Sequence, residues 1–188
     1  MRVLTAEQKE QKKADMLQKC FELFVAQGLE NTSINDMAAY CKTYKAALYS
    51  YFKSKDDIVL ECAKMYMNSL ANIFDNEFEH PRETLCDAMK RGFDVICGEK
   101  EKLRFIYQVI SSPKYGDVCR KELAKIYSRY FEYSDVFAEH YHVNKEQFKL
   151  YFNLLVVTMH DYCLWENTRL VGEKLNYIFR RIKDIGEE

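Results

Sequence analysis

Apolar positions recur along this chain at the spacing of a helix face, starting with Leu17, Phe21, Phe24 and Val25, with Cys20 between them. That stripe predicts a first helix from Thr5 to Gln27, with Gly28 as its C-cap and a polar leading part, "AEQKEQKKAD", expected to project or fray. Thr32 and Ser33 then supply a start signal, and a short helix is expected over Ile34 to Tyr40, burying Ile34, Met37 and Ala38. Asp36 stands three residues after Ser33, but Asp is a poorer reciprocal partner than Glu, so the reading is a simple cap rather than a full capping box. Four residues, "CKTY", separate this from a third helix over Lys45 to Tyr51, with Ala47, Leu48, Tyr51 and Phe52 as packing candidates. Ser54 reads as the cap of a long fourth helix reaching Phe78, with Asp56 and Asp57 in the first turn where the helix dipole favours them. Two short helices around a four-residue turn, braced by longer ones, form a helix-turn-helix arrangement.

The second half continues in the same period. Pro81 is expected to open a helix that ends at Cys97, and the next runs from Glu99 to Ile110. "SSPKYGD" is the clearest break, followed by helices over Val118 to Glu139, Lys145 to Trp165 and Arg169 to Ile185. The fold class is therefore all-α, with about nine helices. Composition agrees: six glycines and two prolines in 188 residues leave little material for the turns of a strand-rich fold. Apolar residues at 48% are enough for a core.

Net charge is −1, so no global field draws the chain to nucleic acid. The distribution is uneven, however. Through Lys55 there are nine Lys and Arg against six Asp and Glu, a balance of +3 that leaves −4 for the rest. Seven cysteines are scattered without a Cys-x-x-Cys pair, most at apolar-face positions where they act as small hydrophobes. An odd count and a polar, charged N-terminus unlike a secretory signal point to a reducing, cytoplasmic setting. No apolar run is long enough for a membrane span. His140 and His142 are an isolated His-x-His with no Cys or third His at metal-site spacing, though acidic neighbours exist, and no phosphate loop, nucleophile elbow or paired-carboxylate motif occurs. The chain is expected to be no enzyme and to hold no metal or cofactor.

Phe21 to Ile58 resembles the TetR family of transcriptional regulators. The resemblance lies in Leu23, Phe24, Gln27 and Gly28, in Thr32 and Ser33 before "INDMA", and in "ALYSYFKSKDDI" with Tyr49, Phe52, Lys55, Asp56 and Asp57 at the family's spacings. It implies an N-terminal three-helix DNA-binding domain over residues 1–55 and a C-terminal helical bundle over 56–188 for effector binding and dimerisation. It further implies a homodimer whose third helices enter the major groove of double-stranded DNA at a palindromic operator. By position, Tyr44 and Lys45 lie at the front of the recognition helix, Tyr49 meets the DNA backbone, and Lys55 meets a phosphate. Thr32 or Ser33 adds a further phosphate contact, and Lys42 and Thr43 fall in the turn.

Two positions depart from the family. Lys42 stands where Gly is usual, implying a strained turn or a different one. Tyr44 replaces a small capping residue, so Thr43 is expected to cap instead, shifting the helix start by one.

The family's central helices enclose a cavity for an apolar or amphipathic small molecule. By that analogy Phe105, Tyr107, Tyr127, Tyr130, Phe131, Tyr151, Phe152 and His160 are candidate lining residues, since aromatic walls with hydroxyls and an imidazole suit such a ligand. The last two helices carry broad apolar stripes, "FNLLVV" with Met159 and "LNYIF" with Ile182 and Ile185, which two subunits would bury in a four-helix interface. The expected activity is that of a ligand-released repressor. The alternative is a helical protein-binding adaptor that has kept the fold and lost duplex binding.

Overall fold

The computed structural model of the chain describes residues 5–79, 84–165 and 168–186; the side chains at 73–79, 127, 129–131, 133, 168 and 186 lie outside that description. The described residues form nine α-helices and no strand. In order they are α1 (Ala6–Gln27), α2 (Ile34–Tyr40), α3 (Lys45–Tyr49), α4 (Lys55–Glu79), α5 (Leu85–Gly98), α6 (Lys100–Ser111), α7 (Gly116–His140), α8 (Lys145–Trp165) and α9 (Thr168–Gly186). The chain is all-α, as its periodicity requires.

Most helix ends are chemically marked. Thr5 and Gln8 form a capping box that opens α1, and Gly28 closes it with φ 85°, where an L side chain would be strained. Asn144 Oδ1 accepts the amides of Glu146 and Gln147 at the start of α8. One expectation fails: α5 opens at Leu85 behind Thr84, whose hydroxyl accepts the Asp87 amide. Pro81 lies outside the described residues. Thr84 has the side chain that the N-cap position favours.

The chain packs as two compact units. Unit 1 takes residues 1–66 and 105–121; unit 2 takes 67–104 and 122–188. This packing division is not the functional one expected at residues 55 and 56, because Phe105–Lys121 belongs to the N-terminal unit. Unit 1 buries Met16, Cys20, Phe21, Phe24, Met37, Leu48, Phe52, Ile58 and Cys62, together with Phe105, Ile106, Val109, Tyr115 and Cys119. Phe105 stacks on Phe24 with ring centroids 5.6 Å apart and meets Phe21 edge-on at 5.4 Å. Burying aromatics this large makes the later segment a main contributor to the unit's stability.

In unit 2, α5, α8 and α9 pack on one another. Leu85, Met89, Phe93 and Ile96 of α5 are buried, as are Phe148, Phe152, Leu155 and Met159 of α8 and Val171, Ile178 and Ile182 of α9. Lys174 pairs with Asp161, and Arg104 Nε donates to Cys163 O at 2.9 Å. Helix α8 is also apolar on its other side: Leu150, Leu154, Val157 and Leu164 are exposed, and Trp165 is 75% exposed. All seven cysteines are free thiols. Burial pushes Cys97 up to about 12 and Cys163 up to about 11, so both stay protonated near neutrality. No helix among the described residues is long and apolar enough to cross a membrane.

Candidate nucleic-acid interface

The helix-turn-helix is built by α2, the turn Cys41–Tyr44 and α3. Ser33 caps α2, its hydroxyl accepting the Asp36 amide at 3.2 Å while the Asp36 carboxylate accepts the Ser33 amide at 2.8 Å. This is a full capping box, contrary to the simple cap expected from the shorter Asp side chain. The Ser33 hydroxyl also donates to that carboxylate at 2.5 Å, and these bonds hold the Asp36 acid below its usual range. Thr32 is fully buried, and its hydroxyl donates to Gly28 O at 2.8 Å. Thr32 is thus an internal tie of the α1–α2 loop, and the Ser33 hydroxyl is engaged with a carboxylate.

The turn after α2 ends the helix in a left-handed residue. Lys42 has φ 52°; its amide bonds Ala39 O at 3.0 Å, and the Thr43 amide bonds Ala38 O at 2.9 Å. These two bonds are those of a Schellman motif, whose left-handed position normally holds Gly. Of the two backbones that Lys42 implied, the strained one is present. The same motif ends α7, where His142 has φ 53° and the amides of His142 and Val143 bond Glu139 O and Ala138 O.

Thr43 does not cap α3. Tyr44 is the N-cap residue and offers no side-chain bond, so the first amides of α3 have no side-chain partner. Thr43 is excluded because its own amide is drawn back onto Ala38 O, placing it in the previous helix's terminus. Helix α3 is anchored by Leu48 and closes on Phe52, both buried. That anchoring leaves Tyr44 83% and Tyr49 45% exposed, with Lys45 and Ala46 also exposed. Lys42 and Lys53 are exposed as well.

Lys55 is half-buried, and its Nζ donates to Leu29 O at 2.9 Å. Lys13, in the polar leading part of α1, pairs with Glu61 at 2.8 Å and lies over the Phe52 ring. The Glu61 hydrogen bond holds the Lys13 ammonium above its usual range. Sequence reasoning misses Tyr40, exposed beside the turn with its hydroxyl on Glu22. It stands next to the turn residues, and the 3.6-residue period alone would place it there.

The expected effector residues separate. Phe105 is committed to the unit 1 core by its ring contacts with Phe21 and Phe24. Tyr107 is half-buried in the same unit. Tyr151 and His160 are half-buried and Phe152 is buried in unit 2, and burial depresses the His160 imidazole below its usual range. The side chains of Tyr127, Tyr130 and Phe131 lie outside the description. Among the described residues no cluster of His, Cys, Asp or Glu could hold a metal ion.

Residues 17–62 match the family model of the tetR family of bacterial regulatory proteins. An uncharacterised helix-turn-helix-type transcriptional regulator, YerO, from Bacillus subtilis strain 168 is 26% identical over 153 residues. That match takes in 79% of this chain and 47% of the relative, so the chain spans about half the length of the relative. Among solved structures, one crystallised as a TetR-family transcriptional regulator from Mesorhizobium loti superposes with a TM-score of 0.74 at 14% identity, covering 97% of each chain. The regulator FadR from Bacillus subtilis, solved with stearoyl-CoA, gives 0.61 at 13% identity, covering 90% of this chain and 96% of its own. The structural likenesses share the fold, and the family model covers the stretch that holds α2, the turn and α3. Residues 17–62 are thus similar to the DNA-binding segment of the tetR family of bacterial regulatory proteins, and the chain shares the fold of solved TetR-family regulators.

Proposed function

We propose that the protein is a sequence-specific repressor that binds a palindromic operator as a homodimer and is released by a small apolar or amphipathic effector. The observation that carries the reading is the one-sided anchoring of α3. Leu48 and Phe52 fix the helix inward while Tyr44, Lys45 and Tyr49 face solvent together. A short helix held this way offers side chains to base edges, and the lysines around it supply the sequence-independent attraction to phosphate. Lys42, Lys45 and Lys55 take the phosphate contacts in this reading, Tyr49 the backbone, and Tyr44 a base edge or thymine methyl. Thr32, Ser33 and Thr43 set the backbone of the loop and turn.

The exposed apolar positions of α8 recur at spacings of four, three and seven, Leu150, Leu154, Val157 and Leu164, which is one helix face. Leu170 and Tyr177 of α9 are exposed at a spacing of seven. Those faces support a homodimer through the last two helices. Tyr151, Phe152 and His160 are the residues we retain for the effector site; the stearoyl-CoA held by the Bacillus subtilis regulator is an amphipathic ligand of the class proposed. Release then follows from an effector that binds one arrangement of the dimer better than the DNA-fitting one, by no more than its difference in affinity.

The test is selection of duplexes from a random pool by the wild-type protein. An enriched palindrome with half-sites spaced by about one helical turn, roughly 34 to 36 Å, supports the reading. If no duplex is enriched even at low salt, the protein-binding adaptor replaces it.

A further inference from the structure

The connection between α6 and α7 carries chemistry that the DNA-binding reading does not use. Asp56, in the first turn of α4, is one residue from Lys55. Its Oδ1 accepts the Tyr115 hydroxyl at 2.7 Å and pairs with Lys114 Nζ at 2.8 Å. Tyr115 is buried, so its ring cannot follow a moving loop without exposing apolar surface. The connection itself is pinned. A Cβ at Gly116 would run into Ile110 O, and Arg120 bridges from Asp117 to that same carbonyl.

A second tie sits close in sequence. Leu29, in the α1–α2 loop, is held at both ends of its backbone: its amide donates to Gln108 Oε1 at 3.3 Å, and its carbonyl accepts from Lys55 Nζ. Gln108 of α6 and Lys55 of α4 thus grip one residue of the loop that leads into α2. All of these residues belong to unit 1.

We propose that Tyr115 and Lys114 are positioning residues for DNA binding, holding Asp56 so that the first turn of α4, Lys55 and the Leu29 loop keep one arrangement. The inference rests on the DNA-binding reading and adds to it a part of the chain beyond the helix-turn-helix. Loss of the clamp lets unit 1 sample other arrangements, and apparent affinity falls by the fraction of time spent in them. Lys114 also neutralises a carboxylate that would otherwise repel phosphate beside Lys55.

The experiment measures binding of the selected duplex, and its salt dependence, by wild type, Tyr115→Phe, Asp56→Asn, Lys114→Met and the double variant Tyr115→Phe with Asp56→Asn. Hydrogen exchange at the Lys55–Val59 amides is followed in the same proteins without DNA. Expected are affinity losses of about three- to tenfold for Tyr115→Phe, with the salt slope unchanged because no phosphate contact is removed. Faster exchange in the first turn of α4 should accompany them, and the double variant should be no weaker than the worse single one. Affinity and exchange unchanged in Tyr115→Phe, or fully additive losses in the double variant, would overturn the clamp while leaving DNA binding intact. A wild type that binds no duplex would sink the DNA-binding reading, and the clamp with it.

Discussion

Lys55 Nζ lies 2.9 Å from Leu29 O and donates to it, so the lysine that the family resemblance assigns to a phosphate is already a tie between α4 and the α1–α2 loop. An ammonium has three donors, so one bond to a carbonyl leaves two for an oxygen outside the protein. Lys55→Ala should therefore lose in two ways. Stability should fall by about 1 kcal/mol, the usual net worth of such a bond, read from urea unfolding. Operator affinity should fall with a salt slope shallower by about one unit. A drop in stability with an unchanged slope would confine Lys55 to the internal role.

Lys42 gives the opposite combination. Its left-handed backbone costs a side-chain-bearing residue roughly 1 kcal/mol relative to Gly. Lys42→Gly should raise the urea midpoint by a corresponding amount while weakening DNA binding and flattening its salt dependence. His142→Gly, in the matching motif that ends α7, should stabilise similarly without touching DNA affinity.

Tyr44 is so exposed that its removal should barely register in folding. Tyr44→Ala is expected to change stability by less than about 0.5 kcal/mol. Repeating the duplex selection with this variant should shift base preference at one pair in each half-site, and an identical enriched sequence would remove Tyr44 from base reading.

The outer face of α8 predicts the assembly. Placing charge at two of its exposed positions, Leu154→Glu with Val157→Lys, should convert a dimer to a monomer in sedimentation while leaving helicity unchanged, because neither side chain is part of the subunit's own core. A wild type that sediments as a monomer would rule out this face as the dimer contact.

Asp56 gives the protein a dependence on acid. Hydrogen bonds from Lys114 and Tyr115 hold its carboxyl below the usual range, with Lys55 adding to the effect. A carboxyl depressed in the folded state contributes stability that is whole above its ordinary value and is lost as pH falls through the lowered one. Wild type should therefore lose more stability than Asp56→Asn between neutrality and about pH 3. The difference should be small, since the side chain is 40% exposed and solvent screens it. Parallel pH curves would show that the pair carries no net stability.

How much of this was visible in the sequence follows from the range of each interaction. Helix α8 is placed at Lys145–Trp165 and α2 at Ile34–Tyr40 by period and cap residues alone, because both signals act within a few positions. The exposed face of α3 is likewise local, set by Leu48 against Tyr44 and Tyr49. Thr32 reads as a surface hydroxyl but is buried, since its bond to Gly28 O depends on how the loop folds back. The Asp36 box was missed on side-chain length, which the loop geometry makes up. Nothing in the one-dimensional pattern brings Tyr115 to Asp56 or Gln108 to Leu29; those pairs are 59 and 79 residues apart. Phe105 looked like a lining residue for the same reason: aromatic content does not say which of two units a ring will join.

Unit 1 is assembled from two separate stretches of the chain, residues 1–66 and 105–121. A domain swap between family members that cuts once, after the helix-turn-helix, would graft a DNA-reading head without the wall that Phe105, Val109 and Tyr115 supply. A working chimera needs two further crossovers, one on each side of that insert, so the recombination map of this protein has four segments rather than two.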